Sequence, residues 1–208
     1  NLANVRDSAT ALGLDVYASV CPIGYSNGLL AHDPNLAEAL PVKDAVFAAR
    51  AGKAQLVTES DGLLSNGGFE SADGNKMTGW SWQDDAGTAT VADTVVRHDG
   101  ERSLRMERFS KASNGAGNVR VVQAISVTPW RQYHLSVWVR TDDLDIPSSA
   151  RAAILDPGGG PLAHQTWHVQ RTQDWTKHHL VFNSLGNAKV TVYLGVWGGA
   201  GGRIWWDD

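Results

Sequence analysis

Cysteine is almost absent from this chain. Cys21 is the only one in 208 residues, so no disulfide can form within the chain and no compartment can be read from disulfides. Charge is sparse too, with Asp, Glu, Lys and Arg making up 19% and a net charge of −4. The Lys and Arg residues are scattered singly, whereas a polyanion surface needs clustered cations to meet phosphates. No apolar run approaches the ~20 residues of a membrane-crossing helix. Nucleic acid and membrane are therefore not expected as partners. Nucleophile and cofactor motifs are missing: there is no Gly-x-Ser-x-Gly, no phosphate-cradling loop and no dinucleotide fingerprint. The runs Gly158-Gly159-Gly160 and Gly198-Gly199-Ala200-Gly201-Gly202 separate strand-like segments and lead into no helix, which excludes a helix-borne phosphate site. The seven His lack zinc spacing, and the adjacent His178 and His179 point to opposite faces of a strand.

Tryptophan and glycine are plentiful. Nine Trp stand against four Phe and four Tyr. Indole serves cores and ligand platforms alike, through its flat face and its N–H donor. The 22 Gly suit a β protein with many turns. The sequence starts at Asn1 without Met and stops at Asp208 inside a strand-like run, which reads as a piece of a longer polypeptide.

Two segments differ in texture. In residues 1–60, Leu2, Val5, Ala9 and Leu12 recur at helical spacing and Gly13 follows as a C-cap. Leu14–Val20 reads as a buried strand, followed by a long polar loop from Cys21 to Glu38. Residues 44–50 and 54–57 flank Ala51-Gly52-Lys53, a hairpin signal, and Glu59-Ser60-Asp61-Gly62 forms a polar joint. From residue 61 to 208 strands follow at short intervals: Ser103–Phe109, Val119–Val127, Gln132–Thr141, Ala150–Leu155, Ala163–Val169, Thr176–Phe182, Lys189–Trp197 and Arg203–Asp207. Breakers such as Asn114-Gly115 and Asp156-Pro157-Gly158 separate them. The fold class expected is mainly β, a two-layered sandwich with a short N-terminal α/β segment.

Four motifs stand in order: Asn66-Gly67-Gly68-Phe69-Glu70, Gly79-Trp80, the strand Tyr133-His134-Leu135-Ser136-Val137-Trp138-Val139-Arg140, and the terminal Asp207-Asp208. Their order and spacing resemble carbohydrate-binding modules of the family 4/9/22 type, over roughly Leu63 to Asp208. The resemblance implies a jelly-roll β-sandwich (galactose-binding-like) that binds polysaccharide or oligosaccharide without chemistry of its own. It also implies a catalytic domain in the same polypeptide and a secreted or periplasmic location. The helix, Gly13 and the run Gly13-Leu14-Asp15-Val16-Tyr17 resemble one step of a glycoside hydrolase (β/α)8 barrel, in which chemistry sits on loops after the strands.

Alternation within each strand assigns faces. In Gln132–Thr141, Tyr133, Leu135, Val137 and Val139 form the core side, leaving Trp138 and Arg140 outward. In Lys189–Trp197, Tyr193 and Trp197 oppose the valines. A sugar needs an aromatic ring beside hydrogen-bonding groups, so the ligand candidates are Trp138, Arg140, Tyr193 and Trp197, then Gln123, Gln165 and Trp167. These are expected to share one sheet surface, the concave face that the resemblance implies. Trp80 and Trp175 are expected to pack structurally. Of Trp205 and Trp206, one is expected inside and the other facing out.

Family jelly rolls commonly carry a structural calcium ion (Ca2+). The resemblance implies ligands at Glu70, in the loop Arg97-His98-Asp99-Gly100-Glu101 with Asp99, and at Asp207. Calcium takes oxygen ligands, so carboxylates and carbonyls suit it. Glycoside hydrolysis requires two carboxyl groups across the scissile bond. Asp33 and Glu38 are acids in the barrel-like loop, with loop or capping roles as the simpler account. Two alternatives to glycan binding stay open: a structural domain bracing a catalytic barrel, and a glycosidase fragment whose 21–38 loop lies near an active site.

Overall fold

The computed structural model describes residues 2–15, 41–57 and 63–208. The chain divides into two compact units, Asn1–Ala39 and Leu40–Asp208. In the first unit, helix α1 spans Leu2–Ala11. It stops where Gly13 turns left-handed at φ 68°, and two backbone bonds close the end, Gly13 N–H to the Thr10 carbonyl and Leu14 N–H to the Ala9 carbonyl. Leu14 and Asp15 carry no regular structure. The remainder of the expected Leu14–Val20 strand lies outside the described residues, as do the Cys21–Glu38 loop and its acids Asp33 and Glu38. Of the barrel-like step, only α1 is found among the described residues.

The second unit opens with the hairpin β1 (Phe47–Arg50) and β2 (Lys53–Leu56). Its two-residue turn places Ala51 and Gly52 at φ 48° and 72°, the twist that suits a tight hairpin. The sequence reading gave this hairpin to the first segment; it groups with the second unit. The strands that follow are β3 (Ala72–Asp73), β4 (Lys76–Met77), β5 (Trp82–Gln83), β6 (Thr90–Asp93), β7 (Ser103–Glu107), β8 (Val119–Ser126) and β9 (Gln132–Asp142). Then come β10 (Ala150–Leu155), β11 (Pro161–Thr166), β12 (Gln173–Asn183), β13 (Lys189–Val196) and β14 (Arg203–Asp207).

Two five-stranded antiparallel sheets result, sheet I in the order β11-β10-β13-β8-β5 and sheet II in the order β12-β9-β14-β7-β6. Their facing sides hold the core. Val119 and Val121 of β8, Val190 to Val196 at alternate positions of β13, and Ile154 of β10 come from sheet I. Val137 and Val139 of β9, Leu104 and Met106 of β7, and Ile204 and Trp206 of β14 come from sheet II. Full burial of each such side chain contributes about 1.5–3 kcal/mol. The architecture is the mainly β sandwich that the strand spacing predicts.

The Asn66–Glu70 motif folds the entry to the sandwich. Asn66 sits at φ 53°, and its side-chain amide donates to the Ser71 and Thr78 carbonyls and accepts from the Ser71 N–H. Phe69 is fully buried and stacks on Trp80 with ring centroids 5.1 Å apart. Trp80 donates its indole N–H to the Asn66 carbonyl. A Cβ on Gly79 would lie 2.7 Å from the Ser65 hydroxyl, so glycine is required there. Trp80 is therefore a packing residue, as expected.

Candidate functional site

The structure separates the expected ligand residues. Trp138 and Arg140 lie on β9, on the exterior of sheet II, whereas Tyr193 lies on β13, on the exterior of sheet I. They occupy opposite sides of the sandwich and cannot form one surface. Alternation tells which way a side chain points within its strand; it does not tell which sheet the strand joins.

On the sheet II exterior the protein itself partly covers Trp138 and Arg140, whereas His134, Lys177, His179 and Val181 are exposed. His98 stacks on Trp138 at 4.0 Å, and Trp175 meets His98 edge-on at 5.7 Å. Arg140 is paired with Asp174 at 3.1 Å. Trp205 and Trp206 do point opposite ways, but both are buried, which corrects the expectation that one faces solvent. Trp205 faces outward beneath the Arg203 guanidinium and donates its indole N–H to Asp93 at 2.9 Å. Burial alone would raise the Asp93 pKa. The Trp205 indole, the amides of Val95 and Val96 and the Arg105 guanidinium outweigh it and hold the carboxyl below its ordinary value.

Two further candidates lie inside. Gln123 pairs in register with Val192 and points into the sandwich, where its amide accepts from the Ser65 N–H at 2.7 Å and donates to the Ser65 carbonyl at 2.9 Å. It tethers the entry segment and is not available to a ligand. Trp167 follows β11 and turns inward, 5.7 Å from Trp206 and stacked on His178 at 5.3 Å. Burial, with a smaller contribution from His179, keeps the pKa of His178 low, while His179 points outward to bond His134 at 2.8 Å. Gln165 lies on edge strand β11 opposite the buried Ala152, exposed, with its amide bonded to the Thr166 carbonyl. Trp197 lies just past β13, half-buried, its backbone N–H given to Ser149.

The acids expected at a metal meet around one loop. Asp207 is fully buried and accepts the N–H groups of His98 at 2.6 Å and Asp99 at 3.4 Å. Glu70 accepts the N–H of Glu101 at 2.7 Å, and its carboxylate lies so close over Gly100 that a Cβ there would overlap it. Asp99 turns its own carboxylate to the Gly100 N–H. Burial pushes Asp207 up to about 6; amide bonds from His98 and Asp99 oppose the shift and the charge of Asp208 adds to it. Among the described residues no group of three His, Cys, Asp or Glu side chains is arranged to hold a metal. Two carboxylates, Glu70 and Asp207, do converge on this loop, and an oxygen site would take its remaining ligands from backbone carbonyls.

The exterior of sheet I is different. Strand register sets Trp82, Val122, Tyr193, Ala153 and His164 side by side across all five strands. Trp82 is 58% exposed, and Tyr193 is half-buried two strands away, about 10 Å at ordinary strand spacing. The buried Val122 stands between them. Asp84 fixes the indole by accepting the Trp82 N–H at 3.0 Å, and in turn takes the Arg120 guanidinium at 2.8 Å. The next row runs Arg120, Gly195, Arg151 and Thr166. Arg151 makes no ion pair or hydrogen bond among the described residues, and its Nε is buried without a partner. A fixed indole, a phenol and donor-rich guanidinium groups on one surface can stack an apolar ring face and bond its polar rim. Of this set the sequence reading named only Tyr193. Trp82 was missed because its strand has two residues, too few to show alternation. Arg151 had a signal, a lone charge within the apolar strand Ala150–Leu155.

A separate cleft of about 970 Å³ opens between the sheets, lined by Val46, Leu56, Leu64, Leu135, Phe182 and Val192 among others. Arg131, Gln132, Tyr133 and His134 also line it.

No curated protein matches the chain. Among solved structures, TmCBM61 in complex with β-1,4-galactotriose is 16% identical with a TM-score of 0.51, the match covering 72% of this chain and 96% of that one. The enzymatically active domain of tailspike protein 4 from bacteriophage CBA120 is 17% identical with a TM-score of 0.51, over 70% of this chain and 20% of that one. At these identities the likeness is one of fold. The model of the carbohydrate binding domain family (types 4 and 9) matches residues 61–202, most of the chain, and the chain belongs to that family.

Proposed function

We propose that the exterior of sheet I is the glycan-binding surface, with Trp82 and Tyr193 as stacking platforms and Arg120 and Arg151 as hydrogen-bond donors. The observation that carries this reading is the row Trp82–Val122–Tyr193–Ala153–His164, which places two aromatics on one open surface with the buried Val122 between them. Membership of a carbohydrate binding domain family supports it. TmCBM61, which shares the fold, was solved with a galactotriose. Each ring would contribute about 1 kcal/mol by stacking. In a larger polysaccharide-acting protein outside the cytoplasm, such a module would raise the local concentration of substrate for a catalytic partner domain.

Affinity electrophoresis through gels of soluble polysaccharides tests this. Retardation on at least one glycan, reduced in Trp82→Ala and Tyr193→Ala and kept in Trp138→Ala, is the expected result. Free migration in every gel would end the proposal.

A structural calcium ion at the Glu70–Asp207 clasp forms a second part of the reading. It rests on Asp207, a buried carboxylate without a cationic partner among the described residues, beside a second carboxylate on Asp208. Glu70 and Asp207 would supply the side-chain oxygens, and the ion would offset the desolvation of Asp207. Thermal melting with and without a calcium chelator tests it: a lower midpoint in chelator supports the ion, and superimposable curves exclude it.

A further inference from the structure

We infer that the glycan held on sheet I carries a carboxylate, that is, a uronic acid unit seated at Arg151. The inference rests on the proposed binding face and adds the chemical class of its ligand. It comes from how the protein treats its arginines. On the sheet II side, Arg140 is paired with Asp174, Arg105 with Asp93, and Arg203 with Asp142. On the sheet I exterior, Arg120 is paired with Asp84. Among the described residues Arg151 has no such acid, and neither does Arg102 just before β7. Among the described residues no acid, carbonyl or hydroxyl bonds Arg151, and six buried side-chain polar atoms lack a partner, of which Arg151 Nε alone lies on this surface.

The charge around it is one-sided. The outward positions of sheet I carry Arg120, Arg151 and, on β13, Lys189. The single carboxylate there, Asp84, is already used by Arg120 and the Trp82 indole. A guanidinium without an acid partner favours an anionic acceptor at its terminal nitrogens over a neutral hydroxyl, because the anion adds a charge-assisted hydrogen bond. The planar fork of Arg matches the two oxygens of a carboxylate. The ground beside Arg151 is open to such a group. Its neighbour across the ladder is Gly195, where a Cβ would overlap the Val119 carbonyl oxygen, so no side chain stands between Arg120 and Arg151. Tyr193 lies two residues before Gly195 on the same strand and exterior, so a ring stacked there brings a carboxyl substituent toward Arg151.

The test uses matched pairs of polysaccharides with one backbone, a uronate-bearing form and its carboxyl-reduced form, titrated calorimetrically into the whole chain. At least tenfold tighter binding of the uronate form is expected. That preference should shrink with rising salt and disappear in Arg151→Gln, while Trp138→Ala retains it. Equal affinity for both members of each pair overturns the inference and leaves glycan binding on sheet I standing. A preference for sulfated over carboxylated polymers also overturns it. Binding to neither member of any pair, nor to neutral glycans, removes the underlying proposal as well.

Discussion

The imidazole of His98 lies flat on the indole of Trp138, centroids 4.0 Å apart and planes 18° from parallel. The same His98 gives its backbone N–H to Asp207 and bonds Asp208 through its ring. The half-buried tryptophan of the Tyr133–Arg140 strand thus anchors the 97–101 loop.

Trp138→Ala is therefore expected to destabilise the fold by about 2 kcal/mol, less than the 3–5 typical of a fully buried aromatic because the ring is only half-buried. Urea unfolding measures the loss. Glycan affinity should change by less than twofold in the same variant, and a large drop would return Trp138 to the binding surface.

Gln123→Leu keeps the volume and removes both bonds to Ser65. Each orphaned backbone group costs about 1–3 kcal/mol where water cannot replace the partner. Amide exchange at residues 64–69 should speed up more than exchange in β8. Uniform acceleration across the sandwich would show that Gln123 does not act on the entry segment.

Acid should stabilise the clasp over a defined range. Asp207 titrates near 6 when folded, against about 3.9 in an unfolded chain. The folded state holds that proton more tightly. The resulting stabilisation is complete below about 3.9 and lost as pH rises through about 6. Asp93, held low, contributes in the opposite sense, with its stabilisation lost only as pH falls through its depressed value. In chelator, Asp207→Asn should be more stable than the parent at pH 7.5 by up to about 3 kcal/mol, and the two should converge near pH 4. Denaturant midpoints across that range decide it; parallel curves would contradict the buried titration.

Gly195→Ala should cost about 1–3 kcal/mol by overpacking, since the new methyl meets the Val119 carbonyl and the Arg120 backbone. Calorimetric melting gives the magnitude. A neutral substitution would mean that β8 yields at this point.

Much of the sandwich was legible in the sequence. Ala150–Leu155 and Arg203–Asp207 match their strands, and Val119–Val127 and Lys189–Trp197 miss by one residue at one end. The short β5 and β6 were missed, because two or four residues give alternation too little length. Faces within strands were also legible: Val137 and Val139 point in, Trp138 out. What the sequence withheld was partnership. β9 and β13 show the same alternation, yet one joins β12 and β14 and the other β10 and β8. A polar residue such as Gln123 reads as outward until the backbone it serves is known, and one of Trp205 and Trp206 reads as facing out, with nothing in the alternation to show that Arg203 and Asp93 cover Trp205. The motifs Asn66–Glu70 and Gly79-Trp80 pointed to the right family through folding contacts, while Trp82 and Arg151, which carry the proposed binding, belong to no motif.

The polypeptide enters and leaves the sandwich at one place. A Cβ on Gly68 would lie 3.5 Å from Asp208 Oδ1, and Glu70 and Asp207 grip the same short loop. Tension applied between residues 64 and 208 would consequently load the amide–carboxylate bonds at that junction together with the last rung of β14, Asp207 against Trp138, and acidity or a bound cation would shift the force at which the junction parts.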